Sequence, residues 1–191
     1  MDWDTALGRV QDEVEALLQT KERVLVTVDG RAASGKSTFA SALSEQLRCD
    51  VVHMDDFYIH PEQRTPERYA IPGGNADRER VLLDVIAPWQ ERGEFAYRPY
   101  DAHTDTWGPE ISAGRGRVLI LEGSYSGLPG LWEASSLHIF VTTEPNTQIS
   151  RIARRNGSDK VSAFRNMWIP LEEAYFGAYE TQDRSDIVIE T

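Results

Sequence analysis

The 191 residues amount to 21.6 kDa, the size of one domain with a sizeable core. Thirty-one acidic against 20 basic residues give a net charge of −11, which excludes a general nucleic-acid coat and docking on an anionic membrane. A hydrophobic share of 40% with five Trp excludes wholesale disorder.

The lone Cys49 rules out an intrachain disulfide and reads as a small apolar residue in a reducing compartment. No apolar run approaches the ~18 residues of a membrane span, and the N-terminus lacks the pattern of a signal peptide. A cytoplasmic protein is expected, without nucleic-acid or membrane partners, and a homo-oligomer is left open. Of the basic residues 17 are Arg and only three are Lys (21, 36 and 160), so a lysine inside a motif carries information.

Leu7, Val10, Val14, Leu17 and Leu18 recur at helical spacing and predict an amphipathic helix over 3–19. Residues 23–29 are a β-branched apolar run that suits a buried strand. A glycine-bearing turn leads into a helix over 36–48, with Phe39, Ala40, Leu43 and Leu47 on one face. Residues 51–54 form a second short strand. The segment 55–75, rich in Pro, Gly and charge, is expected to be a long ordered loop, and such loops are commonly functional. Val81, Leu82, Val85, Ile86 and Trp89 mark a helix that Pro88 should kink or end. Residues 93–116 read as loop. Strands follow at 117–122 and 137–142. A helix with Pro145 in its first turn ends at Gly157. A long helix over 161–175 is expected to be interrupted by Pro170, and 187–189 is a last strand. Short buried strands alternating with helices predict a parallel sheet covered on both faces.

The first strand runs into Gly30-Arg31-Ala32-Ala33-Ser34-Gly35-Lys36-Ser37, which is G-x-x-x-x-G-K-[ST] between a strand and a helix. The glycines and small residues let the backbone wrap so that N–H groups face phosphates, and the helix N-terminus adds partial positive charge. Gly30, Ala33, Ser34, Gly35, Lys36, Ser37 and Thr38 are therefore the expected ATP-binding residues. Lys36 would reach the β- and γ-phosphates, and Ser37 would ligate Mg²⁺. Arg31 lies within the loop with its direction undecided. The absence of N-K-x-D argues against a guanine-reading switch, and the length against a large ATPase. A small kinase fits best.

Asp55 and Asp56 follow the second strand, where the carboxyl ends of a parallel sheet face the ligand crevice. A carboxylate there either caps the loop start or accepts the proton of an attacking hydroxyl. Glu122 ends the RVLILE strand, a position suited to binding Mg²⁺ directly or through water. His53, His60, His103 and His138 show no metal-site spacing, and His138 reads as a core residue. Arg151, Arg154 and Arg155 share one helix face, which is either a plain solvated face or a cluster that closes over ATP.

Five segments in order resemble the uridine kinase branch of the P-loop kinases, with its phosphoribulokinase-like and pantothenate-kinase-like relatives. They are VDGRAASGKSTFA at 28–40, MDDFY at 54–58, RPYD at 98–101, LILEGSY at 119–125 and QISRIARRNG at 148–157. The resemblance implies one α/β domain over 1–191, a three-layer P-loop NTPase fold. Its core would be a five-stranded parallel sheet, with a small helical lid near 148–160. It implies that Asp55 is the catalytic base and that Phe57, Tyr58, Tyr100 and Asp101 shape the acceptor side; Lys36, Arg151 and Arg155 are expected to neutralise the charge that develops on the transferring group. The expected activity is transfer of the γ-phosphate of ATP to a hydroxyl of a small molecule, foremost a uridine-like nucleoside. A kinase of a non-nucleoside alcohol and a nucleotide-binding regulator are the alternatives.

Overall fold

The computed structural model describes residues 3–114 and 116–191; Met1, Asp2 and Arg115 lie outside them. Nine strands are present among the described residues: β1 (Val24–Gly30), β2 (Asp50–His53), β3 (Phe95–Tyr97), β4 (Tyr100–Asp101), β5 (Thr106–Trp107), β6 (Ile111–Ala113), β7 (Val118–Glu122), β8 (Leu137–Thr142) and β9 (Ile187–Glu190). Five of them form one all-parallel sheet in the order β2-β7-β1-β8-β9. The chain thus has the expected three-layer α/β fold.

Alternation along the strands builds two cores. Val24, Val26 and Val28 of β1, with Ile120, Ile139, Val141 and Ile189, face helices α1 (Trp3–Leu17) and α2 (Lys36–Leu47) through Val10, Val14, Phe39 and Leu43. Leu25, Leu119, Leu121 and Phe140 face the opposite layer, where Val81, Val85, Trp89, Tyr175 and Phe176 pack. Every residue of β1 and β7 is buried, which is why both read as unbroken apolar runs. Burial pushes the Cys49 thiol up to about 12, so it stays protonated and serves as packing beside α2. His138 stacks on Trp132 at 3.7 Å and bonds Thr27 through Nδ1.

Several expectations change. Pro88 does not end its helix: an α-turn at Arg78–Arg80, a π-helical segment Val81–Ile86 and an α-helical segment Ala87–Arg92 run on without a gap. Pro170 behaves alike, with π-helical Phe164–Trp168 leading directly into α-helical Ile169–Tyr179. A proline lacks the N–H that a regular α-turn requires, and the wider turn just before it re-registers the hydrogen bonds. The expected loop 93–116 holds two small antiparallel ribbons, β3–β6 and β4–β5. The expected loop 55–75 holds a 3₁₀ turn at Pro61–Gln63 and a short helix at Pro66–Tyr69 capped by Thr65. A turn of helix at Leu131–Ala134 went unforeseen. The Pro145–Asn156 helix ends at Gly157, as expected. Among the described residues no helix is long and apolar enough to cross a membrane.

Candidate active site

β1, β2 and β7 end side by side, with Val28 and His53 both in register with Glu122. The loop after β1, the 3₁₀ turn after β2 and the carboxylate ending β7 therefore converge on one edge, which is where a parallel sheet places its ligand crevice.

Gly30 is fixed by space and by backbone. Its φ is +140°, and a Cβ would fall 2.0 Å from the Val141 carbonyl oxygen on β8. Gly35 (φ +97°) and Ala33 (φ +58°) also have positive φ, which lets the loop curl tightly between β1 and α2. Gly30 forms the buried root of this loop, while Ala33, Ser34, Gly35, Lys36, Ser37 and Thr38 line a cavity of about 700 Å³ with Trp3, Arg151, Arg154, Arg155 and Thr191. Arg151 Nη1 donates to the Ala33 and Ser34 carbonyls at 3.4 Å and to Thr191 Oγ1 at 2.8 Å, joining its helix to the loop. Arg31 turns away: it donates to Thr142 Oγ1, pairs with Glu173 and lies over the Phe176 ring.

A second, smaller cleft of about 160 Å³ brings Lys36, Ser37, Asp55, Glu122 and Arg155 together. Ser37 Oγ donates to Glu122 Oε1 at 2.9 Å, and His53 Nδ1 lies 2.7 Å from Oε2. Burial pushes the Glu122 carboxyl up, but the His53 hydrogen bond, the Lys36 charge and the Ser37 hydroxyl together bring it below its ordinary value. The same contact, the largest influence on His53, raises that imidazole. Among the described residues no group of three or more His, Cys, Asp or Glu side chains could hold a metal. Two adjacent oxygen donors beside a phosphate loop nevertheless suit Mg²⁺, which takes few protein ligands and fills its shell with phosphate and water.

Asp55 and Asp56 separate in role. Asp56 Oδ2 accepts from Tyr97 Oη at 2.9 Å, and its carbonyl holds Arg80, so it braces the turn. Asp55 is exposed, accepts a long 3.3 Å bond from Tyr58 Oη, and lines both the small cleft and a third cavity of about 640 Å³. Tyr58, Tyr100, Asp101 and Trp168 line that cavity as well. Phe57, expected on the acceptor side, is fully buried beneath it, 4.8 Å from the Tyr97 ring and under the Arg80 guanidinium.

The sequence reading missed three residues that line these cavities. Glu172 is buried in the small cleft and accepts from the Ala32 backbone N–H at 3.0 Å and from Ser124 Oγ at 2.7 Å. Trp168 forms a wall shared by the small cleft and the third cavity, its ring 6.4 Å from that of Tyr58. Trp3 packs on Phe39 and would meet a Cβ on Gly35 at 3.3 Å. A helical Glu or Trp carries no distinguishing pattern in the sequence. Behind the loop, Asp29 accepts from Gly30 N, Gly127 N and Tyr175 Oη (2.7, 2.9 and 2.5 Å), yet burial dominates and raises its carboxyl to about 6.

No protein-family model and no curated protein matches the chain. Solved structures do. A candidate uridine kinase from Bacillus stearothermophilus superposes with a TM-score of 0.65 at 21% identity, covering 95% of this chain and 99% of that one. A candidate fructose transport system kinase from Silicibacter sp. TM1040 gives 0.74 at 22%, covering 98% of each. Phosphoribulokinase from Rhodobacter spheroides gives 0.60 at 15%, covering 90% of this chain and 71% of that one. The chain has the P-loop kinase fold, shared with uridine-kinase-like proteins and phosphoribulokinase.

Proposed function

We propose that this chain is an ATP-dependent kinase that moves the γ-phosphate of ATP to a hydroxyl of a small molecule, with a nucleoside as the favoured acceptor. One observation carries the reading. The small cleft holding Lys36, Ser37, Asp55, Glu122 and Arg155 shares Arg155 with the phosphate-loop cavity and Asp55 with the aromatic one. A donor phosphate and an acceptor hydroxyl entering from opposite sides would meet there.

The loop amides and Lys36 bind and orient the phosphates, and Arg155 adds positive charge where the transferring group would sit. Ser37 and Glu122 would hold a Mg²⁺ ion, which when bound neutralises charge on the phosphate oxygens. Asp55 accepts the acceptor's proton as its oxygen bonds to the γ-phosphorus. The bond from that phosphorus to the β–γ bridging oxygen breaks, and the electron pair leaves with ADP. Arg151 ties the lid helix to the loop so that closure can exclude water as a competing acceptor. Tyr58 and Trp168 offer flat apolar faces that suit a base, which favours a nucleoside over an open-chain alcohol. ADP release measured with nucleosides, sugars and pantothenate-like alcohols tests the reading: a hydroxyl-bearing acceptor should raise it well above slow hydrolysis, and ATP binding with no acceptor-dependent release would refute it.

A further inference from the structure

We infer that the acceptor carries no negative charge: it is a neutral or cationic alcohol, and sugar phosphates, nucleotides and carboxylic acids are rejected. The inference rests on the kinase reading, because it takes the 640 Å³ cavity as the acceptor site.

That cavity presents three carboxylates, Asp55, Asp56 and Asp101, among aromatic walls, and among the described residues no Lys or Arg lines it. Its one basic group is His103, a single charge at most against three. Three arginines that bond residues lining it, Arg64, Arg80 and Arg98, are committed elsewhere. Arg64 donates to Asp105 at 2.6 Å and to the Ile59 carbonyl. Arg80 donates to the Asp56 and Arg98 carbonyls and lies over the Phe57 and Trp107 rings. Arg98 donates to the Gly108 carbonyl and lines a separate cleft with Arg80. Asp101 accepts from the His103 and Thr104 backbone N–H groups, and these bonds hold its carboxyl below the ordinary range.

A phosphate or carboxylate on an acceptor needs an Arg fork or a Lys to replace its water. Here it would meet neither, and it would face like charges, which reject a wrong ligand as effectively as attractive contacts select a right one. Lys36, Arg151, Arg154 and Arg155 lie in the clefts toward the phosphate loop, where the nucleotide's own phosphates would occupy them.

The test uses matched pairs that differ in one anionic group: uridine with 5-carboxymethyluridine, panthenol with pantothenate, and fructose with fructose 6-phosphate. ADP release with MgATP is measured for each. The neutral member of at least one pair should be used with a kcat/KM about 100-fold or more above its charged partner. In that pair Asp101→Asn, which keeps the oxygen that caps the turn, should shrink the ratio at least severalfold. Preference for an anionic member, a ratio near one, or a ratio untouched by Asp101→Asn would overturn the inference while leaving the kinase reading intact. ADP release from no pair, in either charge form, would overturn the kinase reading and the inference with it.

Discussion

Asp29 is a buried carboxylate at the root of the phosphate loop, and its environment sets a measurable dependence of stability on pH. Burial raises its carboxyl from 3.8 to about 6, despite three hydrogen bonds that favour the charged form. Because the native value lies above the unfolded one, the folded state keeps the extra proton between about pH 4 and pH 6, and stability falls as pH rises through that window. A shift of about two units corresponds to about 3 kcal/mol in all, of which about 1 kcal/mol falls between pH 5 and pH 7. The perturbation is Asp29→Asn, which removes the titration while keeping one acceptor for Gly30 N; its amide group facing Gly127 N costs roughly 1–3 kcal/mol at any pH. Urea unfolding of both proteins at pH 5 and pH 7 gives the wild-type-minus-variant difference, in which other titrating groups cancel. That difference should fall by about 1 kcal/mol on going from pH 5 to pH 7. A difference that is flat, or that grows with pH, would show that the hydrogen bonds outweigh burial and that Asp29 is ionised throughout.

Gly30→Ala would place a Cβ 2.0 Å from the Val141 carbonyl oxygen at φ +140°. It should cost roughly 3 kcal/mol or more, seen in the denaturation midpoint, and separate β1 from β8. Glu172→Gln keeps an acceptor for the Ala32 N–H but removes a negative charge from the phosphate-side cleft. ATP affinity by calorimetry should rise roughly fivefold, equivalent to about 1 kcal/mol of relieved repulsion; weaker binding would mean that the carboxylate organises the loop rather than opposing phosphate.

What was legible in the sequence and what was not divide along physical lines. β1 and β7 are buried on both faces, so their apolar runs stand out, and the phosphate loop is a local pattern with strict backbone demands. The Pro145–Asn156 helix carries its own start and stop residues. The helices through Pro88 and Pro170 were obscured because π-helical turns absorb each proline, and nothing in residue type marks such a turn. The two ribbons within 95–113 have strands of two or three residues, too short for any period to show. At the site, Asp55 and Glu122 stood out because strand ends in a parallel sheet point to a crevice, and both line the small cleft. Phe57 was misplaced because its neighbours in the chain face the cavity while its own ring turns beneath it. Glu172 went unseen because a helical glutamate reads as solvated until the Ala32 amide is brought against it.

The central claim is that Asp55 takes the acceptor's proton while the phosphate loop holds ATP. It is tested most directly by Asp55→Asn, measured for turnover on an accepted alcohol and, separately, for ATP affinity. Turnover should fall by about 10²- to 10⁴-fold with ATP affinity nearly unchanged, because Asp55 is exposed and shares its cleft with the loop without bonding to it. Near-normal turnover in the variant would contradict the assignment of Asp55 as the base.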